Sequence, residues 1–222
     1  MGLANDMDSV IADKTPGQMQ GIRNTLIWTL GFIGLILGLF IYTILAPKVL
    51  SEEALRELGY YGFPESRLIK PFDLIDHTGD AVSVSSLEGQ WQLMFFGFTF
   101  CPDICPTTMA VLNRAVSDME IPPQVIMVSV DPERDTPKVL SRYVPVFNPA
   151  FIGYTGEFDD IVSLATNVNI AFGKVPGNEP GTYTVDHAGS IVVVDPQGRY
   201  AGFIKSPHQA LHISQIMSTL MR

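Results

Sequence analysis

Apolar and polar positions change their spacing several times along the 222 residues, and each change predicts an element. Residues 25–46, TLIWTLGFIGLILGLFIYTILA, carry no charge, and about 20 apolar residues in a helix cross the hydrocarbon core of a bilayer. One transmembrane helix is predicted there, after a tail over 1–24. The apolar core of a cleavable signal peptide is shorter, roughly 7 to 15 residues, and ends at a small-x-small site. Ile44-Leu45-Ala46-Pro47 is a poor one, so the segment predicts an uncleaved anchor. A juxtamembrane linker is expected over 47–69. It contains one short helix at 51–58, where Ser51 as N-cap, acids in the first turn and Gly59 as a stop frame SEEALREL.

From residue 70 the pattern predicts a compact domain. Segments 72–75 and 81–84 flank the turn DHTGD and predict a hairpin. The nearly continuous apolar runs QLMFFGF (92–98) and VIMVSV (125–130) predict strands covered on both faces. Met109, Leu112, Val116 and Met119 recur at helical spacing. That helix is expected to take Pro106 as its first residue, because proline has no N–H to lose there and pushes the preceding residue out of the α region. Cys105 then stands near the N-cap. Thr136-Pro137 predicts the start of a second helix, with Val139, Leu140, Tyr143 and Val144 as its apolar face. A short strand at 150–154, a helix at 156–167, strands at 190–194 and 199–204 around DPQG, and a last helix opening at Ser206-Pro207 follow. Helical crossovers, then a hairpin and a final helix, describe an α/β domain with helices around a mixed central sheet. In such sheets ligands sit outside the carboxyl ends of the parallel strands.

Charge and composition narrow the function. The formal net charge is −9, with acids spread along the chain and no block of Lys or Arg, which excludes nucleic-acid binding. A domain of this size buries a core without staples, and the chain has two cysteines, so a disulfide framework is excluded and a close pair points to a redox or metal site. Asp6, Asp8 and Asp13 argue against an organelle presequence and for a bacterial-type anchor. Lys14 and Arg23 before the span balance Lys48 and Arg56 after it, so charge alone does not orient the span. Gly34 and Gly38 form a GxxxG, which leaves a homodimer of anchors open.

The chemistry concentrates in FTFCPDICPTT, residues 98–108, which holds both cysteines. Cys101 and Cys105 are expected on a strand-to-helix loop, where the partial positive charge of a helix N-terminus favours thiolate over thiol. Pro102 and Pro106 stiffen that loop. If 190–194 pairs antiparallel to 92–98, the segment entering one strand lies beside the end of the other, which places His187 near Cys101 and Cys105. Two thiolates and an imidazole make a soft, three-ligand set that favours Cu(I), can hold Cu(II) and leaves a position open, whereas structural zinc wants four ligands. Asp103 is either an additional oxygen ligand for Cu(II) or a cap of the turn. The acids of the loop Asp131-Pro132-Glu133-Arg134-Asp135 either guide a partner or repel anions, or, for Asp131 and Asp135, serve turn and cap chemistry. His208 and His212, four apart on the expected last helix, form a metal clamp or, with no acidic or cysteine partner in reach, a solvated helix face. His77 lies in a turn and is assigned nothing. Scattered methionines give no support to a thioether copper site.

Three separated stretches resemble one family: FGFTFCPDICPTTM at 96–109, VSVDPERDTPKVLSRYVPVFNPAFIGYTG at 128–156 and TYTVDHAGSIVVVDPQG at 182–198. They are similar to the Sco/SenC proteins, thioredoxin-fold proteins tied to copper delivery for cytochrome c oxidase, and the resemblance runs from about residue 72 to the C-terminus. It implies a thioredoxin-like copper-binding domain over 70–222 with Cys101, Cys105 and His187 as copper ligands. It also implies a redox-active Cys101–Cys105 disulfide whose formation releases the metal or records the redox state. The domain would face the periplasm, held by a single pass through a bacterial inner membrane with the tail 1–24 in the cytoplasm. The implied role is a metallochaperone for the binuclear copper (CuA) centre, with the copper-site subunit of the oxidase as partner and another periplasmic copper chaperone as candidate donor. The alternative is a thiol-disulfide oxidoreductase that reduces the oxidase cysteines and needs no His187. The C-x-x-x-C spacing differs from the C-x-x-C of thioredoxin, and the extra loop residue changes disulfide strain and potential. A peroxiredoxin-like peroxidase is disfavoured, because Thr99-Phe100-Cys101 lacks that family's Pro-x-x-x-Thr-x-x-Cys surround. Sco/SenC members often carry histidine where this chain has Phe100, a departure that bears on tuning of the site rather than on the ligand trio.

Overall fold

The computed structural model describes residues 16–45, 49–177 and 182–222. The chain divides into two compact units, Met1–Lys48 and Val49–Arg222. The first holds helix α1 (Pro16–Leu45). Its stretch Gly21–Thr43 has a mean hydropathy of 2.1 and is long and apolar enough to cross a membrane. Thr25, Thr29 and Thr43 donate their hydroxyls to the carbonyls of Gly21, Thr25 and Phe40 at 3.0, 2.7 and 2.8 Å. Those bonds satisfy the polar groups within the helix, as an apolar solvent requires. The helix begins before the expected residue 25. The acids and Lys14 of the tail, and the exit from the span at 46–48, lie outside the described residues.

The second unit is built on one eight-stranded sheet. In spatial order its strands are β1 (Tyr60–Leu68), β10 (Arg199–Ile204), β9 (Ile191–Val194), β4 (Gln92–Gly97), β5 (Gln124–Ser129), β6 (Ile152–Thr155), β2 (Leu74–Asp76) and β3 (Ala81–Val82). The β4–β5 and β5–β6 pairs are parallel and the other neighbours antiparallel, so the sheet is mixed, as expected. Helix α3 (Ile104–Val116) connects β4 to β5, α4 (Pro137–Phe147) connects β5 to β6, α5 (Phe158–Asn167) follows β6, and the last helix, α6 (Ala210–Leu220), packs on α3. Every residue of β4 is buried, which is why its sequence reads as an unbroken apolar run. Leu93, Met94, Phe95 and Phe96 meet Leu112 of α3, Ile126 and Met127 of β5 and Val192 and Val193 of β9 in one core.

Three expectations are corrected, and one hairpin has no counterpart among them. The segment 47–69 is not only a linker. Helix α2 (Glu52–Glu57) forms as expected, Ser51 accepting from the Ala54 N–H at 3.2 Å, but Tyr60–Leu68 is a strand paired with β10. A hairpin of β7 (Phe172–Pro176) and β8 (Tyr183–His187) stands as a separate two-stranded sheet, with Phe172 opposite His187. Helix α3 starts at Ile104, so Pro106 is its third residue and Cys105 its second. Proline is tolerated there because the first-turn N–H groups have no partner inside the helix. Helix α6 opens at Ala210, not at Ser206-Pro207, whose peptide bond is cis.

A fragment spanning 70–222 lacks α2 and β1 and with them the buried side chains of Leu55, Tyr60 and Ile69. Each large buried apolar side chain contributes about 1.5–3 kcal/mol. The fragment is therefore expected to be less stable than 49–222 by at least about 3 kcal/mol in urea denaturation; coincident unfolding curves would show that β1 contributes nothing.

Candidate metal centre

The cysteine loop leaves the sheet at Gly97. A Cβ on that residue would lie 2.8 Å from Phe95 Cε1 and 3.1 Å from Cys105 Sγ, so the sulfur occupies the room a side chain would need. Two residues on, Thr99 donates its N–H and hydroxyl to the Asp135 carboxylate at 3.0 and 2.5 Å, and Ser129 donates to the same carboxylate at 2.7 Å. Asp135 is fully buried. Burial lifts its pKa above the ordinary carboxylate range, while the bonds from Thr99 and Ser129 pull it down. Asp131 is equally buried, paired with Arg134 Nε and accepting from the Tyr183 hydroxyl at 2.8 Å. Sealed from water, Asp131 and Asp135 do not steer a partner; of the two readings of this loop, the structural one holds for them.

Cys101 and Cys105 are free thiols, Cys101 half-buried and Cys105 fully buried. The Cys105 N–H points at Cys101 Sγ, 3.3 Å away. The thiolate expected from the helix N-terminus does not hold for Cys105. Burial pushes its pKa up, against the lowering effect of the Phe98 backbone bond, because low-dielectric surroundings penalise the thiolate more than the helix end rewards it.

His187 ends β8, and its ring meets Phe95 and Phe98 edge-on, with centroids 5.9 and 6.1 Å apart. Its Nδ1–H donates to the Ala188 carbonyl at 3.3 Å, an assignment that leaves Nε2 with a free lone pair 3.6 Å from Cys105 Sγ. Burial depresses the His187 pKa against the Ala188 carbonyl and Asp186, keeping the ring in the neutral form that binds metals. The loop after it is tied down by the Ala188 N–H to the Ala171 carbonyl at 2.9 Å and by His208 Nε2–H to the Gly189 carbonyl at 2.6 Å. His208 thus precedes α6 and supports the histidine loop, so neither the metal clamp nor the solvated helix face expected of His208 and His212 describes it. Asp103 stands at the N-cap of α3 without a side-chain cap bond, accepting instead from the Thr107 hydroxyl at 3.5 Å. His77 has a structural partner that the sequence did not suggest: its Nδ1 accepts the Gly153 N–H at 3.1 Å.

Two ligands sharing a zinc-sized ion, with sulfur at about 2.3 Å and imidazole nitrogen at about 2.0 Å, stand roughly 3.5–3.7 Å apart. The 3.6 Å between Cys105 Sγ and His187 Nε2 fits that span. Among the described residues no three ligand-type side chains are gathered tightly enough to hold an ion as they stand. One ligand pair is formed, with Cys101 beside it on the same turn.

The difference in burial has a direct readout. Iodoacetamide at neutral pH should modify one thiol per folded chain, Cys101, and reach Cys105 only after unfolding; equal labelling of both in the folded protein would contradict the geometry.

A family model described as SCO1/SenC matches residues 63–222. A Stutzerimonas stutzeri protein named for copper binding is 32% identical over 163 residues, covering 71% of this chain and 79% of that one. The crystal structure of Arabidopsis thaliana ScoI with copper bound superposes with a TM-score of 0.65 at 31% identity, covering 69% of this chain and 99% of that chain. BsSco, described as a Sco protein with a disulfide switch and as a member of a family of cytochrome c oxidase assembly proteins, gives a TM-score of 0.54 at 26% identity, covering 70% and 95%. The likeness to the copper-bound ScoI structure extends to the mixed sheet and its flanking helices, so the expected thioredoxin-like domain is the one observed. With the match running through the cysteine loop, the histidine hairpin and the C-terminal helix, this chain belongs to the SCO1/SenC family.

Proposed function

We propose that the chain is a membrane-anchored copper metallochaperone that holds copper through Cys101, Cys105 and His187 and passes it to the binuclear copper centre of cytochrome c oxidase. The observation that carries this reading is the 3.6 Å approach of a neutral, Nε2-free His187 to Cys105 Sγ, with Cys101 beside them. Two sulfurs and an imidazole nitrogen suit Cu(I) and also hold Cu(II), and a three-ligand site leaves a coordination position for hand-over. Copper is the cargo here. The half-exposed Cys101 offers the side from which an incoming ligand of the oxidase copper-site subunit, or of a donor chaperone, can reach the metal. In this reading α1 anchors the chain in a bacterial inner membrane, with the tail in the cytoplasm and Val49–Arg222 in the periplasm; the apolar stretch Gly21–Thr43 supports the anchor.

A second reading is favoured by the order of exposure, Cys101 in front and Cys105 behind. As a thiol-disulfide reductase, the chain would attack a partner disulfide with the Cys101 thiolate, forming a mixed disulfide and releasing one partner thiol. Cys105 would then lose its proton and displace the second thiol. The partner gains two electrons and the chain keeps a Cys101–Cys105 disulfide. His187 has no part in that cycle.

An anaerobic competition titration of Cu(I) into 49–222 separates the two. The chaperone reading predicts one copper per chain and an affinity at least about tenfold weaker in His187→Ala, since even outer-shell partners of metal ligands are worth that much. The same titration tests the thiol chemistry. A raised Cys105 pKa means a proton held at neutral pH and released on binding, so apparent affinity should climb about tenfold per pH unit between about pH 6 and 8 from this group alone. Affinity indifferent to His187, with disulfide exchange intact, would favour the reductase.

A further inference from the structure

The hairpin β7–β8 carries His187 yet belongs to its own two-stranded sheet, so beyond the short connection from His187 to β9 its position over the cysteine loop rests on contacts outside the main sheet's ladders. Besides the packing of His187 on Phe95 and Phe98 and of Phe172 on Phe158, several of those contacts gather on the loop 131–135. Lys174 of β7 pairs with Glu133 at 2.6 Å. The Tyr183 hydroxyl at the start of β8 donates to Asp131 at 2.8 Å and lies 3.3 Å from Glu133. Arg134 lies over the Tyr183 ring, 4.0 Å from its centroid, and its Nη1 donates to the Tyr183 carbonyl at 3.4 Å. The same guanidinium lies 4.8 Å from the centroid of Phe100, in the cysteine loop beside Cys101, and its Nε is held by the buried Asp131. One planar cation therefore touches an aromatic ring from each of the two segments that bear the proposed ligands.

We infer that Arg134, stacked between Phe100 and Tyr183, is a positioning residue that sets the distance from the His187 imidazole to the cysteine sulfurs. A guanidinium suits this work better than an ammonium. Its plane lies over aromatic faces while Nε and Nη1 bond at the edge to Asp131 and the Tyr183 carbonyl, and Asp131 fixes its orientation. Ligands held in place before the metal arrives lose less freedom on binding, which is how supporting contacts raise metal affinity. The inference also gives Phe100 a task. It offers an uncharged face that the arginine covers, although the ring is otherwise exposed.

The inference rests on the copper reading, and the test is arranged to separate the two. Cu(I) competition is measured on the full chain in detergent for Arg134→Gln and for Phe100→Leu, each alone and combined with His187→Ala. If Arg134 acts through His187, Arg134→Gln weakens copper binding about 10- to 100-fold when the histidine is present and changes it by less than about twofold when it is absent. The sulfur-to-copper charge-transfer bands of the Cu(II) form should shift in Arg134→Gln as well, a signature that general destabilisation would not produce. Phe100→Leu leaves the Asp131–Arg134 pair intact at an exposed position, and its weakening should show the same dependence on His187. It keeps the test readable should Arg134→Gln fail to fold. Wild-type affinity in both variants, or equal losses with and without His187, overturns the positioning role while the copper reading stands. A wild-type affinity that ignores His187 removes the copper reading, and the positioning role falls with it.

Discussion

The antiparallel register between β4 and β9 sets the geometry on which the site depends. Phe95 lies opposite Ile191, so the chain leaving β4 toward Cys101 and the chain reaching β9 from His187 meet at one edge of the sheet. On the other flank β5 runs parallel to β4, with Gly97 opposite Ser129, and the loop 131–135 rises at the same edge. Three segments far apart in sequence are thus brought together by hydrogen-bonded ladders in the most buried part of the domain. Asp135, held within its own segment by Ser129, fastens the third segment to the first through Thr99, and Asp131 and Arg134 fasten it to the histidine hairpin.

Burial then decides the chemistry of the groups so gathered. It raises the Cys105 pKa and lowers that of His187, so both are favoured in their neutral forms when no metal is bound. A cation bound there would reverse the balance, because a coordinating thiol loses its proton to solvent and the metal neutralises the thiolate charge that burial penalised. Metal binding through Cys105 would therefore be coupled to proton release. The cost of burying Asp131 and Asp135 is met in another way, by several donors on each carboxylate.

The parts of this arrangement legible in the sequence are those whose signal is local. Strands β4 and β5 are covered on both faces and read as apolar runs; the cysteine loop is marked by its prolines and the stripe of the following helix. The nearness of His187 followed from a conditional pairing that the β4–β9 ladder realises. Strand β1 escaped because YYGFPESRL has Gly62 and Pro64 in its middle and buries only Tyr60. An edge strand tolerates both residues, and its register shifts between Gly62 and Arg67. The strands FGKVP and YTVDH escaped because only Val185 among them is buried, which leaves no alternation to read. Asp131 and Asp135 looked like surface acids because carboxylates usually are. Their donors Tyr183 and Thr99 lie 52 and 36 residues away, beyond the reach of any local pattern. The helix-end argument put Cys105 near the N-cap, whereas it is the second residue of α3, and its depth in the core is a tertiary fact that outweighs the dipole.

The central claim is that both sulfurs and the imidazole bind one metal, and X-ray absorption at the copper edge of Cu(I)-loaded 49–222 tests it most directly. The account predicts a first shell of two sulfurs and one nitrogen, with the outer-shell scattering of an imidazole ring that disappears in His187→Ala. A shell of two sulfurs alone, unchanged by that substitution, would contradict it.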